Sequence, residues 1–165
     1  MRTRSMRQTL LAVMAGGSVL LAVAACDDDD EPITGGSVTY RSTMNGANER
    51  PTPNSSAATG TATYTLTGNT LSYTVSVNGL TAPASGAHIH VGNGTQVGAI
   101  VFPFTYAAVS TGTVATGSIN LTGSIIAGGI SGDSLRVLLN NGNAYTNVHT
   151  ATYPDGEIRG QIVRQ

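Results

Sequence analysis

Residues 61–77 read TATYTLTGNTLSYTVSV, and this stretch decides the fold class. Apolar and hydroxyl side chains alternate on both sides of Thr67-Gly68-Asn69, which is short enough to be the loop of a β-hairpin. Alternation with a period of two is typical of a strand that buries one face. The stretch therefore predicts two antiparallel strands. Their buried faces carry Ala62, Tyr64, Leu66, Leu71, Tyr73, Val75 and Val77.

Similar patterns continue along the chain between clusters of Gly, Asn and Pro. With 21 Gly and 23 Thr, and neither Trp nor Lys, the composition favours strands and tight turns over long helices. Nine strands are expected: 37–44, 61–66, 70–77, 86–91, 98–104, 114–121, 134–140, 145–150 and 157–163. Many short strands with turns between them predict an all-β fold, a single antiparallel β-sandwich or barrel. Pro103 is expected at an edge, a bulge or a strand end, because it lacks an N–H.

The first 25 residues have the features of a secretory signal peptide. Three Arg precede an apolar run that is short for a membrane-spanning helix. Val23-Ala24-Ala25-Cys26 resembles the lipobox of bacterial lipoproteins, in which the chain is cut before the cysteine and the thiol receives a diacylglyceryl group. We therefore expect a signal peptide (1–25), a lipidated acidic tether (26–36) and a β domain (37–165), with lipid on Cys26 as the membrane anchor.

Five acidic residues, 27–31, follow the cysteine directly. They are either a sorting signal or a solvated, self-repelling spacer, and inner membrane, outer membrane and cell surface all stay open. The expected location is the extracytoplasmic side of the cell envelope. From Ser37 onward five Arg stand against four acids, a net charge of +1, which gives no electrostatic indication of nucleic-acid binding.

All three His of the chain fall on the polar faces of predicted strands. His88 and His90 alternate with Ile89 in strand 86–91, and His149 alternates with Val148. If the two strands share a sheet with their polar faces aligned, the ring nitrogens should lie within roughly 3–5 Å of each other, and such a cluster can hold copper or zinc with an open position.

Glu157 and Arg159 are expected near this cluster, where they would orient an imidazole ring or accept its second N–H. The alternative is structural: each His forms hydrogen bonds with polar side chains or loop carbonyls and fixes the strands. The two alternatives differ in where His149 lies relative to the His88–His90 pair.

The last two strands are expected to meet in a bulged hairpin at Tyr153-Pro154-Asp155-Gly156-Glu157. Pro154 suits a type I turn, and Gly156 suits the position of positive φ that follows it. Pairing Tyr153 with Glu157 places Val148 opposite Ile162, so that two β-branched apolar residues share one face.

Three blocks of sequence resemble the CHRD domain, which is named after repeats in chordin and occurs in many bacterial secreted proteins. The blocks are residues 45–66 (NGANERPTPNSSAATGTATYTL), 79–101 (GLTAPASGAHIHVGNGTQVGAIV) and 145–163 (YTNVHTATYPDGEIRGQIV). The match departs from the family pattern at residues 50–53 and at Gly98-Ala99. Motif residues of the family match here as His88, His90, His149, Glu157 and Arg159, without an established role.

The resemblance implies an all-β, immunoglobulin-like or barrel fold in an extracytoplasmic setting, and it supplies no activity. The H-x-H pair on a β-barrel is also similar to that of the copper–zinc superoxide dismutases, so a superoxide-dismutase-like fold is a second expectation. A dismutase-like enzyme would require further His and carboxylate ligands, a disulfide and a catalytic Arg.

Three functions therefore stay open. The first is a non-catalytic binding or structural module of the cell envelope, because the sequence has no Ser-His-Asp order and no nucleophile elbow. The second is a copper- or zinc-binding protein that uses His88, His90 and His149. The third is a metal-dependent redox enzyme. The expected partner is the membrane, through Cys26; no protein or envelope partner is indicated.

Overall fold

The computed structural model describes residues 36–123 and 129–165. The expected signal peptide, Cys26 and nearly all of the expected acidic tether lie outside the described residues, so these expectations stay predictions. Eight strands and one α-helix are described, together with a 3-10 turn at Gly46–Asn48. In chain order they are β1 (Val38–Asn45), β2 (Thr59–Thr67), β3 (Thr70–Asn78), β4 (Ala84–Val91), β5 (Ile100–Pro103), β6 (Gly112–Asn120), α1 (Gly132–Asn140), β7 (Ala144–Thr150) and β8 (Ile158–Arg164).

The strands form one antiparallel sheet in the order β5-β4-β7-β8-β1-β2-β3-β6, curled into a half-barrel. The all-β fold class is confirmed, and the architecture is consistent with a sandwich or barrel. The β2–β3 hairpin pairs Tyr64 with Tyr73 and Leu66 with Leu71, as the alternation predicts.

The concave face of the sheet carries the hydrophobic core. Met44 and Ile158 approach each other across it, and both are fully buried. The hydroxyls of Tyr64 and Thr146 form a buried hydrogen bond of 2.7 Å, which satisfies two polar groups inside the core. Every apolar residue assigned above to the buried faces of the β2–β3 hairpin is buried.

The opposite face of β1, β2, β3 and β6 is covered with hydroxyl groups. The cross-strand pairs Thr63–Thr74 and Thr65–Ser72 are examples of neighbouring hydroxyl residues on it. Arg41 is the one charged residue that the register places on this part of the face among the four strands. The face is therefore polar and nearly uncharged.

The two edges of the sheet are joined by the segment that follows β5. The backbone N–H of Phe104 donates to the carbonyl of Ala87 in β4, and the N–H of Ala107 donates to the carbonyl of Val114 in β6. Pro103 is the last residue of the edge strand β5, in agreement with the expectation.

The prediction of a strand at 134–140 is wrong, because these residues belong to α1. Ser131 caps the helix by accepting a hydrogen bond from the N–H of Ser134 at 3.1 Å. Leu135 and Leu139 lie one turn apart and are fully buried, whereas Val137 between them is 57% exposed. This is the burial pattern of a helix and not of a strand.

The predicted register of the last hairpin is also wrong. Val148 pairs with Ile158 and Tyr145 with Gln161, a shift of four residues from the expected pairing, although Val148 still shares a buried face with Ile162. Glu157 does not pair with Tyr153: its N–H donates to the carbonyl of Val148, and its carboxylate accepts hydrogen bonds from hydroxyl groups. Gly156 has φ 132°, and its predicted positive φ is confirmed.

Candidate metal centre

Strands β4 and β7 are neighbours, and their register brings the three His to one face. Gly86 is paired with His149, and His90 is paired with Tyr145. Paired residues of an antiparallel ladder project to the same side of the sheet, so His88, which lies between Gly86 and His90 on that side, joins them. The alignment that the sequence analysis made conditional is therefore present.

The three imidazoles form a compact cluster. One nitrogen from each ring can be chosen so that all three lie within 4.8 Å of one another. The ring centroids of His88 and His149 are 5.1 Å apart, those of His88 and His90 are 5.6 Å apart, and those of His90 and His149 are 6.4 Å apart. This spacing confirms the expected distance of roughly 3–5 Å between the ring nitrogens.

Backbone carbonyls orient two of the rings. His90 Nδ1 lies 2.9 Å from the carbonyl oxygen of Gly98, and His149 Nδ1 lies 3.0 Å from that of Pro154. A carbonyl only accepts hydrogen bonds, so Nδ1 of each ring carries the proton and Nε2 presents a lone pair. The buried atoms His88 Nδ1, His90 Nε2 and His149 Nε2 have no hydrogen-bond partner among the described residues.

Burial lowers the pKa of all three imidazoles. The pKa of His88 falls to about 4, first because of burial and then because of the neighbouring His149 and His90. Burial also lowers the pKa of His90 and of His149, although the carbonyls of Gly98 and Pro154 oppose the shift. The rings are therefore neutral near pH 7, and the neutral imidazole is the form that binds metals.

A stack of side chains supports His90 from behind. The rings of His90 and Tyr145 are nearly parallel, 4.8 Å apart at 9°, and the guanidinium carbon of Arg159 lies 3.5 Å from the centre of the Tyr145 ring. Arg159 also donates to the carbonyls of Asn93 and Gln96, both at 2.7 Å. The loop that supplies the Gly98 carbonyl is thus tied to the same stack.

Among the described residues, neither Arg159 nor Glu157 forms a hydrogen bond with an imidazole. Arg159 lies near the cluster, as expected, and contacts the Tyr145 ring that stacks on His90. The carboxylate of Glu157 accepts hydrogen bonds from Thr150, Thr81 and Ser56. Burial alone would raise the pKa of Glu157, but these hydrogen bonds outweigh it and hold the pKa below its ordinary value.

A second carboxyl group lies on this side of the sheet. Glu49 is 3% exposed and accepts a hydrogen bond from the Asn147 side chain. Burial raises the pKa of Glu49 to about 7, against the opposing effects of the Asn147 hydrogen bond and the charge of Arg159. Glu49 is therefore partly protonated near neutral pH.

Three residues that hold the rings, namely Tyr145, Gly98 and Pro154, were not predicted from the sequence. Alternation along β7 places Tyr145 on the face of His149, so the pattern contained enough information to find it. The two carbonyls depend on loop conformation, which alternation does not describe.

Comparison with known proteins gives a family match. Residues 40–162 match the CHRD domain. No curated protein matches the chain, and no solved structure matches it. Within the described residues, the structure contains no helix of the length and apolar character needed to cross a bilayer.

Proposed function

Because the chain belongs to the CHRD domain family, which is not a known family of enzymes, we propose that it is a non-catalytic binding module of the cell envelope whose ligand is a copper or zinc ion. His88, His90 and His149 are the proposed ligands. One observation carries the proposal: the three imidazoles cluster with one nitrogen of each ring within 4.8 Å of the others, and each ring has a buried nitrogen without a hydrogen-bond partner among the described residues.

The three unpartnered nitrogens are energetically costly in the metal-free protein. A buried polar atom without a partner costs about 1–3 kcal/mol, and native proteins rarely leave three such atoms together. Protonation would fill only one lone pair at a time and is opposed by burial and by the neighbouring rings. A metal ion satisfies all three lone pairs at once.

The carbonyl contacts support the same proposal. Metal-binding His residues usually donate their second N–H to a carbonyl or carboxylate, which fixes the tautomer and the ring orientation. The carbonyls of Gly98 and Pro154 fill this position for His90 and His149. The structural alternative explains these two hydrogen bonds but leaves three buried nitrogens, His88 Nδ1, His90 Nε2 and His149 Nε2, without a partner among the described residues.

The cluster must contract to bind an ion. Three nitrogens at about 2.1 Å from one tetrahedral ion are about 3.4 Å apart, so a spacing of up to 4.8 Å has to close by about 1.4 Å. Among the described residues, no carbonyl contacts the His88 ring, which is only partly buried. A rotation of His88 toward the other two rings is therefore the simplest adjustment.

The experiment is a metal titration of the full mature chain purified without a His tag. Wild type is expected to bind one equivalent of Zn(II) or Cu(II), and His90→Ala is expected to lose at least about tenfold in affinity. Thr63→Ala, on the exposed hydroxyl face, is the matched control and should bind as wild type does. Equal affinity in wild type and His90→Ala would contradict the metal site.

The membrane anchor is a separate part of the proposal. Cys26 is the one cysteine of the chain and follows a lipobox-like sequence, which supports lipidation and an extracytoplasmic location. Because the acyl chains supply the membrane affinity, Cys26→Ala should leave a soluble or uncleaved precursor. Membrane fractionation measures this, and a mutant that is processed and still membrane-bound would refute lipidation of Cys26.

A further inference from the structure

The three-His cluster brings no negative charge to a bound ion. Imidazole binds metals in its neutral form, and among the described residues no carboxylate or thiol belongs to the cluster. The nearest charge described behind His90 is the guanidinium of Arg159, which is positive and is separated from His90 by Tyr145. The exposed carboxylate of Asp155 acts on His149 through space, but the three ligands themselves would not neutralise a divalent ion.

The cluster lies closest to solvent on one side. His90 is stacked on Tyr145, whereas His88 and His149 are partly exposed as residues, although the unpartnered nitrogens of all three rings are buried. An approach from solution therefore passes these two rings. Gly86 lies between these two rings and contributes no side chain. Zinc and copper take four or more ligands, and three imidazoles therefore leave at least one position free.

We propose that the metal ion held by His88, His90 and His149 takes a small monovalent anion from solution as its fourth ligand. This inference rests on the proposed metal-binding function. The anion neutralises half of the charge of a divalent ion where water screens it poorly, which is why charge favours an anion over a neutral ligand. The chemical class is a compact anion with an oxygen, nitrogen or halide donor, such as azide, chloride or hydroxide.

A side chain of the protein could also supply the fourth metal ligand. Asp155 is exposed and directly follows Pro154, the residue whose carbonyl holds His149. If its carboxylate swung onto the metal, the fourth position would already be filled. The experiment must therefore separate an anion from solution from the carboxylate of Asp155.

The probe is sodium azide, added to the full mature chain loaded with one equivalent of Cu(II). Copper stoichiometry is measured first in wild type and in His90→Ala, and this step tests the metal site itself. Azide is then expected to produce a new azide-to-copper charge-transfer absorption band that saturates at one azide per copper. Asp155→Asn should give the same band with an azide affinity within about twofold of wild type, since an exposed carboxylate off the metal contributes little.

Each outcome has one meaning. Failure to bind copper would overturn the metal site and this inference together. Copper binding that depends on His90, with no response to a large excess of azide, would overturn only the open anion position. An azide band that appears in Asp155→Asn but not in wild type would show that the fourth ligand is the Asp155 carboxylate, and would likewise overturn the inference.

Discussion

Gly86 provides the space in which two of the three imidazoles meet. A Cβ atom built at this position would lie 3.2 Å from His88 Cε1 and 3.6 Å from His149 Cδ2. The first distance is tighter than ordinary van der Waals contact, so a side chain here must displace the His88 ring. The packing of the site therefore depends on Gly86, a residue without a side chain.

Replacing Gly86 tests this dependence. We expect Gly86→Ala to weaken Zn(II) binding roughly tenfold, and Gly86→Val to weaken it further, because displaced rings no longer converge on one ion. Competition titration with a zinc chelator measures the affinity, and urea unfolding of the metal-free protein checks that the fold is intact. Unchanged affinity in Gly86→Val would show that the rings do not converge as described.

Gly156 is restricted by its backbone and by its neighbours. We expect Gly156→Val to lower the free energy of unfolding by at least about 1–2 kcal/mol, because φ is 132° and a branched Cβ is strained there. The added carbon would also meet the Glu49 carboxylate at 2.7 Å and the Asn147 amide nitrogen at 2.8 Å.

Gly142 is the matched control for this substitution. It also has positive φ, 65°, but a Cβ there meets nothing within 4 Å, so Gly142→Val carries backbone strain without crowding. Urea denaturation of both variants separates the two effects. A loss in Gly156→Val no larger than that in Gly142→Val would mean that the contacts with Glu49 and Asn147 carry no cost.

The candidate site was partly predictable at the level of single residues. Period-two alternation places His88 and His90 on one face whatever the rest of the fold, and it gives His149 a polar face as well. The pairing of β4 with β7 was not predictable in this way, because it joins segments that lie far apart in the chain. The orientation of the rings depends on the carbonyls of Gly98 and Pro154, and loop conformation is set by long-range contacts.

At the scale of elements, α1 gives a direct comparison between two patterns of burial. We expect Leu139→Ala to destabilise the protein by about 2–4 kcal/mol through loss of core packing, and Val137→Ala to change stability by less than about 0.5 kcal/mol. Leu139 is fully buried and Val137 is 57% exposed. Chemical denaturation of both variants measures the difference.

Comparing Leu139→Ala with Val137→Ala also distinguishes the observed helix from the strand that the sequence predicts. Residues 137 and 139 lie on one face of a strand but on different sides of a helix, so similar costs for the two variants would contradict the helix. The sequence was ambiguous because Leu135, Val137 and Leu139 alternate as in a strand, while Leu135 and Leu139 are also one helical turn apart. Ser131 as the N-cap and Asp133 in the first turn are the local features that favour the helix.

The last hairpin shows why turn chemistry alone did not give the register. The turn preferences of Pro154 and Gly156 correctly predict positive φ at Gly156. The predicted register also required Glu157 to pair with Tyr153, which it does not. In the fold its carboxylate accepts hydrogen bonds from Thr81 and Ser56, which lie on two other loops. Contacts over such sequence separations do not appear in a pattern of neighbouring residues.

For the whole molecule, buried carboxyl groups contribute to how stability depends on pH, alongside the three imidazoles, whose lowered pKa values act in the opposite direction to that of Glu49. The pKa of Glu49 is raised to about 7 by burial, so the folded chain binds more protons than the unfolded chain between about pH 4.5 and 7. Stability from this group therefore falls as pH rises through that range. Glu49→Gln keeps an acceptor for Asn147 and removes the titration, so it should flatten this fall.

Urea unfolding of the metal-free protein from pH 4.5 to 8 measures the effect. The Glu157 carboxyl has the opposite sign: its pKa is lowered, so its contribution is present above the unfolded pKa and is lost as pH falls through the folded pKa. Glu157→Gln should therefore lower stability at neutral pH, and its difference from wild type should shrink as pH falls below about 4.5, so this variant is also measured at more acidic pH. Identical pH profiles for wild type and Glu49→Gln would contradict the raised pKa.

The position of β1 in the sheet has a mechanical consequence. The residues before Val38 run into a strand with neighbours on both sides, β2 and β8, and Tyr40 is paired with both Tyr64 and Arg164. Force applied along the axis of β1, with the rest of the sheet held, loads two ladders in shear, so many hydrogen bonds must break together. An edge strand such as β6, pulled away from the sheet at one end, would instead lose its hydrogen bonds one at a time. A pull along β1 should therefore meet higher resistance than a pull that opens the sheet from its edge.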